Sequence, residues 1–272
     1  MEWPADSWPA AIRISRTVFP EGMTERVRKA IDGGTGAMGE ARDAVSEAAS
    51  DAATAVGEAA AKVKPKLRGV SHSWAFFAAL IAGGALVVTA PDGRATLAAA
   101  IYAGSLAALF GISALYHRVD WRPATRRWMR RLDHSAIFLL IAGTVTPFLL
   151  LVLSGPFATA LLIAVWAGAL AGIVVELIWV DAPKWATTIV YLSVGWIGAI
   201  GFPAITIEAG IVAGVLIAVG GMLYTAGAIV YARQRPDPNP AVFGYHEIFH
   251  VLVIAAAVVH FAAVAIYALP AG

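Results

Sequence analysis

The chain has 272 residues, of which 59% are hydrophobic and only 14% charged, whereas soluble domains carry roughly a quarter charged residues. That balance excludes an ordinary aqueous surface and points to a bilayer as solvent. A formal net charge of +2 is too small to suggest a nucleic-acid partner, and with no cysteine there are neither disulfides nor thiolate metal sites, so any transition metal must use His, Asp or Glu.

Residues 1 to about 70 hold half of the 20 Lys and Arg residues and contain no long apolar run. Trp3, Pro4, Asp6 and Pro9 interrupt the start of the chain, so no cleaved signal is expected. Met38, Val45, Ala49, Ala52, Val56, Ala60 and Val63 recur at spacings of three, four or seven, which predicts one shallow stripe on an Ala-rich helix. We expect a cytoplasmic extension over 1–70, partly helical or disordered, followed by a single membrane domain over 71–272.

From Ser73 onward the sequence becomes a series of apolar stretches, each near the roughly 20 residues that cross the hydrocarbon core as a helix. They run at about 73–90, 95–116, 134–153, 156–179, 185–206, 209–232 and 244–268, parted by turn signals such as Pro91-Asp92-Gly93-Arg94 and Ser154-Gly155-Pro156. The expected fold is therefore an all-α, seven-transmembrane helix bundle. Orientation follows from Lys and Arg on alternate sides. Outside the extension, nine of them fall on the side of the N-terminus and Arg94 alone on the other. This predicts a multi-pass protein of the inner (plasma) membrane with its N-terminus inside and its C-terminus outside.

Ionisable groups inside a membrane are costly and therefore mark functional candidates. The second span ends at Ser113-Ala114-Leu115-Tyr116-His117, the third begins at Asp133-His134-Ser135, and the seventh begins at Tyr245-His246-Glu247-Ile248-Phe249-His250. All three ends lie at the cytoplasmic face, so topology alone gathers His117, Asp133, His246 and His250 at one level. His246 and His250, four residues apart, put both imidazoles on one helix face, as a metal chelate requires. His117 would supply a third nitrogen and leave a fourth position open to water, which Asp133 would orient or deprotonate. The same segment matches the His-Glu-x-x-His pattern of zinc proteases, in which Glu247 would be the base. Glu176 and His134 are candidate neighbours of the site. His260, about 15 Å beyond His250 along the helix, is too far to share the metal. Pro147 should kink the third span, with Thr144 or Thr146 satisfying the carbonyl it frees. The run Arg126-Arg127-Trp128-Met129-Arg130-Arg131 reads as an inner-face anchor that could also bind anionic lipid.

Ser113-x-x-x-His117, Asp133-His134-Ser135-Ala136-Ile137-Phe138 with Ile141-Ala142-Gly143-Thr144-Val145-Thr146-Pro147-Phe148, and His246-Glu247-Ile248-Phe249-His250 together resemble the haemolysin-III-like family. That family belongs with the progestin and adipoQ receptors and, more distantly, the alkaline ceramidases. The resemblance covers roughly 70–268 and implies Zn2+ held by His117, His246 and His250, with Ser113 and Asp133 beside the water at the metal. Relatives often open the first span with His-Gly, where this chain has His72-Ser73, so His72 is left outside the expected site. The implied functions are a zinc-dependent lipid amidase or ester hydrolase acting on a membrane lipid, or a non-enzymatic zinc-stabilised sensor or receptor. An intramembrane metalloprotease and a pore-forming haemolysin are the remaining readings.

Overall fold

The computed structural model of the protein describes residues 39, 42–52, 64–91 and 93–271. Among them every named element is helical. A chain without water to bond its backbone must pair N–H and C=O within each helix. The chain divides between Lys64 and Pro65 into two units. In the first, residues 42–52 are helical with Val45 exposed. Met38, Val56, Ala60 and Val63 lie outside the described residues.

The second unit contains α1 (Val70–Val88), α2 (Gly93–Arg118), α3 (Pro123–Pro147), α4 (Gly155–Ile178), α5 (Lys184–Ala199), α6 (Phe202–Ala209), α7 (Ile211–Arg233) and α8 (Tyr245–Ala263). Short π-helical segments extend α3 over Phe148–Val152 and α8 over Val264–Ala268. Among the described residues, six helices are long and apolar enough to cross a membrane, or seven spans if the bent pair α5 and α6 counts as one. Large apolar side chains cover the outside: Val88 and Ile207 are 86% and 79% exposed. Such faces would drive association in water and are at home in lipid.

Two expectations are corrected. The fifth span is not continuous over 185–206: it bends by 44° between Ala199 and Phe202. Pro203, in the first turn of α6, has no N–H for the preceding helix and its ring obstructs a helical carbonyl four residues back. The third helix begins at Pro123, not near Asp133, with Pro at its favoured first position. His134 is therefore mid-helix.

That longer α3 gives the arginine run a structural task. Arg131 Nε donates to the Leu177 carbonyl at 2.9 Å, Arg130 donates to the Val180 carbonyl and pairs with Asp181, and Arg127 lies 3.7 Å from Asp181. Helix carbonyls at the end of α4 have no partner of their own helix, and cations there complement the helix dipole. The run thus fastens α3 to the C-terminus of α4. Near Pro147, Thr146 Oγ1 donates to the Ala142 carbonyl at 2.7 Å and accepts from Trp166 Nε1 at 3.1 Å. The Thr144 hydroxyl is buried without a partner.

Candidate metal centre

One buried stripe explains how α2 delivers its end of the centre. Ala95, Ala98, Tyr102, Ser105, Leu109, Ser113 and His117 are all buried and three or four residues apart, so the apolar face of the helix simply continues into Ser113 and His117. On α8, His250, Val253, Ala257 and His260 form the equivalent stripe. The N-terminus of α8 is set by the loop before it, since Asp237 Oδ1 accepts from the Tyr245 N–H at 2.9 Å. His246 follows in the first turn.

Gly69 precedes α1 with φ 77°, a left-handed conformation that disfavours any side chain. A Cβ there would also lie 2.6 Å from His117 Cβ. The absence of a side chain lets the start of α1 lean directly on the histidine.

The nitrogens of His117, His246 and His250 lie within 4.8 Å of one another, the converging His/Asp/Glu group among the described residues. His117 Nε2 and His246 Nε2 are 3.2 Å apart. Two ligands of a tetrahedral zinc, each about 2.0–2.1 Å from the ion, are separated by roughly 3.3 Å, so this pair already has the spacing of a chelate. His250 Nδ1 is buried with no hydrogen-bond partner. Nitrogen donors that are buried, close together and short of partners suit a divalent transition metal.

Asp133 is buried, with Oδ2 3.7 Å from His117 Nε2, and it lines the same cavity as Ser113. It is not one of the converging donors. Beside it, His134 Nδ1 lies 3.1 Å from Glu176 Oε2, and Tyr191 donates its hydroxyl to Glu176 Oε1 at 2.9 Å. The Glu176 carboxylate, buried in the last turn of α4, thereby ties α3 and α5 to that helix.

Glu247 is turned elsewhere. One oxygen pairs with Arg68 and the other accepts from the Gly244 N–H at 2.8 Å. It closes the start of its own helix and holds the segment before α1, and it does not line the cavity that adjoins the histidines.

Sequence reasoning left out His72. Its ring stacks on His250 with centroids 3.8 Å apart and 13° between planes. Both its nitrogens are buried without partners. The available signal was a histidine at the very start of an apolar span, in the first turn of α1, where an unpaired polar group is costly.

A cavity of about 660 Å3 runs from this cluster into the bundle, with Ser113, Asp133, His72, His246 and His250 at one end and mostly apolar side chains beyond. Its size and mostly apolar lining are in the range of ligand pockets.

Comparison with known proteins places the chain among relatives. A family model described as haemolysin-III related matches residues 60–261. Hemolysin-3 of Bacillus cereus is 34% identical over 176 residues, 65% of this chain and 77% of that protein. The hemolysin-3 homolog of Bacillus subtilis is 34% identical over 61% of this chain and 75% of its own length. The human monocyte to macrophage differentiation factor is 25% identical over 71% of this chain and 80% of its own length.

Proposed function

The chain belongs to the haemolysin-III-related family, and from that premise we propose that it is a seven-span membrane protein that holds zinc on His117, His246 and His250 and hydrolyses a lipid amide or ester. The observation that carries the reading is the apolar cavity that ends on His246 and His250, with Asp133 and Ser113 at the same end. An apolar lining suits hydrocarbon better than a hydrated pore. For the seven-span reading, Lys184 at the start of α5 contacts Tyr245 at the histidine end. At the other end of the bent pair, α6 packs against the distal Phe148–Val152. The pair therefore reaches across the bundle. The basic residues around the centre, Arg126 to Arg131 and Lys184, support a cytoplasmic side for it.

When bound, zinc supplies Lewis acidity that polarises an acyl carbonyl and makes water acidic near neutral pH. This chain's residues do the rest. The Asp133 carboxylate takes the proton from the attacking water as the oxygen adds to the acyl carbon. It returns that proton to the nitrogen or oxygen of the leaving group as the C–N or C–O bond breaks. Ser113, which lines the cavity with Asp133, orients the attacking water, and the cavity holds the acyl chain away from water.

A non-enzymatic zinc-stabilised sensor or receptor is the second reading, favoured by the 3.7 Å between Asp133 and His117, from which a small shift would let Asp133 close the coordination. The test is hydrolysis of a panel of long-chain lipid amides and esters by the purified full chain in lipid, wild type against Asp133→Asn. We expect turnover that falls about 10^2- to 10^4-fold in the variant while zinc stays bound. Full-rate turnover in Asp133→Asn would remove the role given to that residue, and an inert wild type would leave the sensor.

A further inference from the structure

The far end of the cavity is polar again. On α8, ten residues beyond His250 and so about 15 Å along the helix axis, the His260 ring faces the same cavity from the same buried stripe. Its Nε2 is 3.1 Å from the Ile217 carbonyl on α7. A carbonyl only accepts, so Nε2 carries the proton and the neutral ring presents Nδ1 as a bare acceptor. That Nδ1 is buried and has no partner. One turn along α7 from Gly220, Tyr224 packs its ring 5.5 Å from that of His260, and its hydroxyl is also buried without a partner. Both residues line the cavity. The backbone makes room for this arrangement. A Cβ at Gly220 would sit 2.2 Å from the His260 imidazole, so a side chain there would push the ring off the Ile217 carbonyl.

An acceptor nitrogen and a phenolic hydroxyl left unpaired inside a membrane bundle are each costly, and a wholly hydrocarbon ligand would leave them so. The group that satisfies both is one that donates to Nδ1 and accepts from the phenol. An alcohol does this with a single oxygen, whereas a ketone or ester carbonyl would leave Nδ1 empty. We propose that Tyr224 and His260 form a hydroxyl-binding subsite for a lipid whose polar head lies at the histidine cluster and whose chain carries a hydroxyl about 15 Å away. At roughly 1.2 Å per bond of an extended chain, that is about a dozen bonds from the head. The inference rests on the reading of the cavity as a lipid site and narrows its ligand to a chain-hydroxylated lipid.

The probes are three fatty acyl amides of equal length: one with a hydroxyl near its twelfth carbon, one with a hydroxyl near its third, and one with none. Their affinities for the full chain in lipid are read by displacement of a fluorescent fatty acid, with no dependence on turnover. The expected result is a preference of about 10- to 100-fold for the hydroxyl near the twelfth carbon, the equivalent of two hydrogen bonds. That ratio should fall toward one in Tyr224→Phe, which removes a single oxygen, and in Gly220→Ala, which displaces the His260 ring. Equal affinity for all three amides, or a preference that survives both substitutions, overturns the subsite while leaving the lipid cavity standing. Failure of every amide to displace the probe overturns the subsite together with the lipid-site reading.

Discussion

An imidazole ligates a metal only through a free lone pair, so in the proposed centre protons and zinc would compete for the nitrogens of His117, His246 and His250. Purified protein should carry about one zinc per chain, with occupancy falling as the pH is lowered through the acid range. Metal analysis after dialysis at stepped pH reads this directly. His117→Ala, His246→Ala or His250→Ala should each lose most of the zinc and lower the unfolding temperature, and wild-type zinc in all three would remove the centre. Glu247→Gln separates a zinc protease from a lipid hydrolase that uses Asp133. Glu247 is engaged by Arg68 and the Gly244 N–H, so this change should weaken the start of α8 and leave any turnover within a few-fold of wild type. The three histidines were legible in the sequence because i,i+4 spacing and span topology both converge on them. His72 was not, since hydropathy says nothing about which face of α1 meets α8, and the stacking on His250 arises only from that packing.

Helix ends decide how well these side chains are held. Gly69→Ala must accept φ 77° and a Cβ 2.6 Å from that of His117. Left-handed backbone costs a non-glycine residue about 1–2 kcal/mol and overpacking typically a further 1–3 kcal/mol, so thermal unfolding in lipid should show a clear loss of stability with weaker zinc retention. Glu176→Leu removes the shared acceptor of His134 and Tyr191. Stranding buried polar partners should destabilise the bundle by about 3 kcal/mol, and Glu176→Gln, which keeps one acceptor, should do less harm. Pro203 was visible in the sequence, yet the apolar run around it outweighed the break it imposes. The lead-in of α3 was hidden for the opposite reason. Arg126, Arg127, Arg130 and Arg131 look like a loop by hydropathy, although they are helical and hold the end of α4.

At the scale of the molecule, the bilayer made the fold legible. Every span must be near 20 apolar residues and internally hydrogen-bonded, so composition and periodicity placed α1, α2, α4, α7 and α8 to within a few residues. The cavity could not be read that way, because it is space left between helices whose rotations depend on packing. An odd number of spans with nine of ten basic residues outside the extension on one side predicts that a reporter fused after Gly272 is external. Cytoplasmic labelling of that end would remove the seven-span count. The centre and the cavity beside it are tested most directly by diffraction from the protein in lipid, with anomalous scattering recorded at the zinc edge. The expected result is a single zinc peak between His117, His246 and His250, with its fourth position facing the cavity and Asp133 outside direct coordination. An absent peak, or one with Asp133 closing the coordination, would contradict it.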